Sequence, residues 1–183
     1  MSKKFKLFLI VIILLISFSA CGKKSNNDST SIKLPGSFIP KDERKEAIDF
    51  SLSTMDGGSI SLKDLKGKVV LLDFWAEWCG PCKAASPIIV SLYEKYKNNG
   101  FIVIGMNLDD ESDFDKVIEY IKKSKIEYPV TIKGFSVAQK YGVTGIPRFF
   151  LIDKDGNIAL TITGYVQTLE SDLKNSIEYL LKE

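Results

Sequence analysis

The stretch VVLLDFWAEWCGPCKAASP, residues 69–87, constrains this chain more tightly than any other. Val69, Val70, Leu71 and Leu72 form a continuous apolar run, the pattern of a strand covered on both faces. Cys79-Gly80-Pro81-Cys82 follows, and the residues after it suit a helix. A strand that leads into C-x-x-C and then into a helix reads as a redox dithiol. The helix N-terminus gives the physical reason, because its unsatisfied N–H groups and partial positive charge favour a thiolate beside them. Cys79, at the mouth, is expected to be the exposed nucleophile. Cys82, one turn inward, is expected to be the shielded thiol that resolves a mixed disulfide. Pro81 suits the first helical turn, where its missing N–H would have no partner anyway.

Other uses of this pair fail on chemistry. Structural zinc needs four ligands, and the chain has three cysteines and no histidine. A structural disulfide closing so short a loop restrains the unfolded chain very little. Without histidine there is no Cys–His nucleophile pair either. Asp73 is the next candidate. It lies on the strand that feeds the motif, between Leu72 and Phe74. A carboxylate there loses hydration, so its pKa is expected to rise.

The segment DFWAEWCGPCKAASP resembles the active-site segment of the thioredoxins, with Phe74-Trp75, Gly80-Pro81 and Pro87 matching together. From about Asp49 onward the chain resembles the membrane-tethered, extracytoplasmic thiol-disulfide oxidoreductases of the TlpA/ResA type, which carry a redoxin-like domain. The resemblance implies that Asp73 sits behind Cys82 and takes its proton as general base, so that this thiolate can attack the mixed disulfide. It also implies a cis proline at Pro147, facing the dithiol and leaving the backbone of Ile146 free to pair with an extended substrate. Trp78, Gly80, Pro81, Ile146 and Pro147 are thereby expected to form the surface on which a client disulfide docks. Two positions depart from expectation. ResA-like proteins often carry Glu three residues after the second cysteine, where this chain has Ala85, so their acid–base arrangement is not carried over. Arg148, beside the proline, is expected to tune which partners dock.

The chain opens with Lys3, Lys4 and Lys6, an apolar run from Leu7 to Phe18, and Ser19-Ala20-Cys21. A charged region, a short apolar region and small residues read as a secretory signal over residues 1–20. The run is short for a spanning helix. Cys21 after small residues resembles a bacterial lipobox, with Phe18 where leucine is usual, and is the expected lipidation site. An uncleaved anchor or a nearby cut are the alternatives, and all three place the domain outside the cytoplasm. Residues 21–47 are polar and punctuated by Pro35-Gly36 and Pro40, which suits a flexible tether. Removing the three leader lysines from 25 basic residues leaves 22 against 23 acidic, a net of −1, so no polyanion-binding surface and no nucleic-acid partner is expected.

Residues 48–183 read as one α/β domain. Phe50–Ser53 and Ile60–Leu62 alternate around Asp56-Gly57-Gly58, a β-hairpin added before the central strand. A helix is expected over Ala84–Asn98, kinked at Pro87. A buried strand over Phe101–Met106 precedes an amphipathic helix over Ser112–Lys125, capped by Ser or Asp. A short strand over Tyr128–Ile132 and a short helix over Val137–Gly142 follow. Strands over Phe149–Ile152 and Leu160–Thr163 meet across Asp155-Gly156-Asn157, and a helix runs over Leu169–Leu181. The result is a mixed central β-sheet flanked by helices, the thioredoxin-like fold that the resemblance implies. Two acidic runs, Asp109–Asp115 and Asp153–Asn157, fail as EF-hand loops. The first lacks glycine at Phe114 and glutamate at Tyr120, and the second has Ile158 where glycine belongs. They read as a helix start and a hairpin turn, and no metal or other cofactor is expected.

The expected activity is thiol-disulfide exchange by a monomer on exported proteins. Gly80-Pro81 is the thioredoxin dipeptide, and that couple lies at about −270 mV against about −120 mV for the oxidant DsbA. Reduction is therefore the expected direction. By the resemblance, apocytochrome c is a client and a membrane thiol protein the electron donor. A peroxiredoxin-like peroxidase is the enzymatic alternative, disfavoured because no P-x-x-x-T-x-x-C surrounds Cys79. A non-catalytic binding module is disfavoured by the intact Cys79, Cys82, Asp73 and Pro147.

Overall fold

The computed structural model describes residues 32–183; the leader and Cys21 lie outside this range. The elements run β1 (Lys45–Glu46), β2 (Ser51–Ser53), β3 (Ser59–Ser61), β4 (Val69–Trp75), α1 (Gly80–Tyr96), β5 (Phe101–Asn107), α2 (Phe114–Lys123), β6 (Val130–Thr131), α3 (Phe135–Lys140), β7 (Arg148–Ile152), β8 (Asn157–Thr163) and α4 (Leu169–Lys182). Six strands form one sheet in the order β1-β8-β7-β4-β5-β6. The pairs β4–β5 and β5–β6 are parallel, while β4–β7, β7–β8 and β1–β8 are antiparallel. This is the mixed α/β sheet of the thioredoxin fold.

All seven residues of β4 are buried, as its apolar run requires. Val69, Leu71 and Trp75 face a cluster with Ile89 and Leu92 of α1 and Leu173 and Ile177 of α4. Val70, Leu72 and Phe74 face the other side, against Val137 and Ala138 of α3 together with Phe50 and Leu62. A strand covered twice cannot keep a polar residue without a reason, because an uncompensated buried polar group is costly. Asp73 is the exception in β4.

The N-terminal hairpin forms as β2 and β3, with Gly57 supplying a turn at φ +88° that side chains rarely adopt. It continues the sheet at its β6 edge: Thr54 bridges Thr131, and the Ile132 N–H donates to the Ser53 carbonyl. Residue 132 is thus held by the hairpin, and β6 itself is only two residues long.

The tether expected through residue 47 is shorter than that among the described residues. Phe38 bridges Leu160, the Ala47 N–H donates to the Gly156 carbonyl, and β1 pairs with β8 at the opposite edge. The anchors explain the ordering. Ala47 is buried, and Arg44 pairs with Asp153 at 2.9 Å and Glu183 at 2.8 Å, its side chain 1% exposed. The α2 region also differs from expectation. Its first turn, Glu111–Asp113, is a 3-10 turn containing Ser112, and Asp113 stands at the α-helical N-cap without a side-chain capping bond.

Candidate active site

Helix α1 begins at Gly80, with Pro81 in its first turn and Cys79 as its N-cap. Cys79 and Cys82 are joined in a disulfide, their Cα atoms 5.3 Å apart. The Cys82 N–H, one of the helix's otherwise unpaired donors, points to the Cys79 Sγ at 3.2 Å. A Cys79 thiolate would receive that same donor, which is how the helix terminus lowers a thiol pKa. The adjacent Lys83 ammonium is tied to Glu77 at 2.6 Å, so the helix end is the less compensated positive feature here. The expected contrast in exposure is not met in the oxidised protein: Cys79 is 4% and Cys82 3% exposed. Tying Cys79 back onto Cys82 buries both, whereas Trp78 beside them is 68% exposed.

Asp73 is 4% exposed. Strand alternation puts its side chain on the same face as Leu71 and Trp75, the face whose cluster includes Cys79, Cys82 and Ala85. Burial pushes its carboxyl up to about 7, with no hydrogen bond or ion pair acting against that cause. A carboxyl that titrates near neutrality accepts and returns a proton readily at physiological pH. Its neighbours in register are Gly105 on β5 and Phe149 on β7. Gly105 is closely packed: a Cβ there would lie 3.0 Å from the Trp75 Nε1, 3.2 Å from Val130 Cγ2 and 3.3 Å from Tyr128 Cε2.

The Ile146-Pro147 bond is cis, and Pro147 is buried immediately before β7. Arg148 pairs in register with Phe74, so Pro147 adjoins the end of β4 that leads to Cys79. The Gly164 N–H donates to the Pro147 carbonyl, which brings the exposed Tyr165 and Val166 next to this edge. Ile146 is half-buried between both core clusters. Arg148, expected to influence docking, is half-buried and stacks over the Phe150 ring at 5.0 Å. Phe150 belongs to the sheet face opposite the dithiol cluster.

Several supporting residues escape a reading of the sequence. Asp109 is buried, and its Oδ2 accepts from the Glu77 N–H and from Asn107 Nδ2, both at 2.7 Å. It therefore clamps the loop before Cys79 to the end of β5. The sequence reads its run, Asp109–Asp115, as a helix start, and only its position directly after a buried strand sets Asp109 apart. The Tyr120 hydroxyl donates to Ser86 Oγ at 2.8 Å, and Ser86 Oγ donates to the Cys82 carbonyl at 3.2 Å. This joins α2 to the first turns of α1. Among the described residues, no group of three or more His, Cys, Asp or Glu side chains converges as a metal site.

Comparison with known proteins places these features in context. The Redoxin family model matches residues 42–177. The thiol-disulfide oxidoreductase ResA of Bacillus thuringiensis is 37% identical, covering 99% of this chain and 98% of its own length. ResA of Bacillus subtilis is 31% identical, covering 97% of each. Among solved structures, a thiol:disulfide interchange protein of the thioredoxin family from Chlorobium tepidum superposes with a TM-score of 0.64 at 30% identity, over 75% of this chain and 97% of that one.

Proposed function

We propose, from the premise that this chain belongs to the redoxin family and is a thiol-disulfide oxidoreductase, that it reduces disulfides of exported proteins through Cys79, Cys82 and Asp73. The observation that carries this reading is the Cys79–Cys82 pair at the N-terminus of α1, with the Cys82 N–H aimed at the Cys79 sulfur. In the reduced protein the Cys79 thiolate attacks one sulfur of a client disulfide. The client's second sulfur leaves as a thiolate and takes a proton from water. Asp73 then accepts the Cys82 proton, and the Cys82 thiolate attacks the Cys79 sulfur. The client leaves fully reduced, having gained two electrons, and the oxidised Cys79–Cys82 disulfide remains. A membrane thiol protein returns the two electrons.

Trp78, Gly80, Pro81, Ile146 and Pro147 line the docking surface in this reading, and the exposed indole of Trp78 supports it. The Lys3-to-Cys21 pattern supports export and lipidation at Cys21, which would hold the domain on the outer side of a membrane. Low-potential Gly80-Pro81 favours reduction over oxidation, with apocytochrome c as a client.

Insulin reduction tests the activity, and equilibration with glutathione tests its direction. A Cys82→Ser variant should accumulate a mixed disulfide through Cys79 and so capture the client. A potential near that of DsbA would reject the reductant assignment. Metabolic lipid labelling of wild type, absent from Cys21→Ser, tests the anchor; unchanged processing and labelling in the variant would reject it.

A further inference from the structure

Behind the dithiol lie two buried polar groups without partners, and near them the Asp73 carboxyl. The Trp75 Nε1 and the Tyr128 hydroxyl are both buried without a hydrogen-bond partner among the described residues. Both side chains pack over the Cα of Gly105: a Cβ there would meet the indole nitrogen at 3.0 Å, Val130 Cγ2 at 3.2 Å and the Tyr128 ring carbon Cε2 at 3.3 Å. Gly105 is the register partner of Asp73, so the third group, the Asp73 carboxyl, adjoins the same spot from β4. Two buried donors and one acceptor therefore border Gly105, alongside the Val130 methyl group. Buried polar groups of native proteins are nearly always satisfied, so such a grouping calls for a physical account.

We propose that Tyr128 is a positioning residue for the resolving step: its hydroxyl and the Trp75 N–H donate to one shared water, which in turn donates to the Asp73 carboxylate. The inference rests on Asp73 serving as base for Cys82. The groups around Asp73 allow few other donors. Gly105 and Phe149 flank it on β5 and β7, Cys79 and Cys82 belong to the cluster on its face of the sheet, and the Tyr120 hydroxyl of α2 is already committed to Ser86. Tyr128 is also suited to donate. Burial and the nearby Asp73 charge raise its pKa well above that of a free tyrosine, so it keeps its proton throughout the working range. Three polar groups are also enough to hold a buried water, which needs about two to four partners. A donor to the ionised carboxylate favours that form and keeps Asp73 available as a base when Cys82 must be deprotonated.

Tyr128→Phe removes the hydroxyl and retains the ring that packs edge-on against Tyr93. Thermal unfolding of the variant serves as the control that the fold is intact. The deciding measurement is the titration of the Asp73 carboxyl by carbon NMR in the oxidised protein. The expected result is a proton affinity raised about tenfold in Tyr128→Phe, since a hydrogen bond to a charged group is lost. The pH profile for release of a mixed disulfide should move to higher pH by the same factor. Tyr120→Phe should leave the Asp73 midpoint in place. An unchanged midpoint in Tyr128→Phe, or an equal shift in Tyr120→Phe, overturns the assignment. The base reading fails separately if Asp73→Asn resolves at the wild-type rate; the titration then still decides the hydrogen bond.

Discussion

Asp73 and Asp153 are buried to the same degree, each 4% exposed, and are treated in opposite ways. Asp153 sits at the β7–β8 turn, where its Oδ1 accepts from the Asp155 and Asn157 N–H groups at 3.0 and 2.8 Å, and its Oδ2 pairs with Arg44 at 2.9 Å. Asp73, in the middle of the sheet, has only burial acting on it, which lifts it to about 7. A carboxylate whose oxygens are filled is a structural clip. A carboxyl left poor in partners is a proton store, and in the proposed function its cost to the fold is offset by its task as base for Cys82. The difference teaches that partnering, rather than burial, separates the structural acid from the chemical one.

The comparison breaks most visibly at the sulfur atoms that Asp73 is proposed to serve. Cys79→Ser should reduce insulin turnover to the uncatalysed level, whereas Arg44→Ala, at the Asp153 clip, should leave turnover per folded molecule unchanged. Loss of dithiol chemistry in Arg44→Ala would mean that the two regions are not separable.

Stability against pH sharpens the contrast next. Asp73 has a folded pKa raised from 3.8 to about 7, so the folded state holds its proton more tightly than the unfolded chain. Its contribution is therefore most favourable below about pH 4 and is lost as pH rises towards 7, on the order of 4 kcal/mol at roughly 1.4 kcal/mol per pKa unit. Urea unfolding of the oxidised protein should show that decline, and Asp73→Asn should flatten it. An equal slope in both proteins would contradict the burial account.

Arg44→Ala should destabilise the fold by about 3 kcal/mol, because it leaves Asp153 and Glu183 without their shared cation. The value belongs at the lower end for a broken buried pair, since two backbone N–H groups still serve Asp153. Denaturant midpoints measure it. The smallest effect is expected at the surface: Trp78→Ala should raise KM for a protein client several-fold, about 1 kcal/mol, with little change in unfolding temperature. An unaltered KM would remove Trp78 from the docking surface.

What the sequence displays follows from how local each signal is. The apolar run of β4, the C-G-P-C helix start and the alternating hairpin around Gly57 are written in neighbouring residues, and each was legible. Asp73 was legible for the same reason, as one acid inside an apolar strand. The β1 segment was not, because its anchors, Phe38, Arg44 and Ala47, are scattered among charges and bind partners more than a hundred residues away. Asp109 was hidden in a run of acids that resemble one another until the fold buries one of them. Gly105 and Tyr128 carry no motif; the pairing of β5 with β4 brings Gly105 beside Asp73, and the pairing of β6 with β5 brings the Tyr128 ring to Gly105.

The central claim is that the poorly partnered acid serves the second thiol. Single-turnover release of a preformed mixed disulfide, followed in Asp73→Asn against pH, tests it most directly. The account predicts that the first attack by Cys79 is nearly unchanged while release slows by about 10²–10⁴-fold near neutral pH, the usual worth of general-base assistance. A wild-type rate of release with a wild-type pH profile would contradict it.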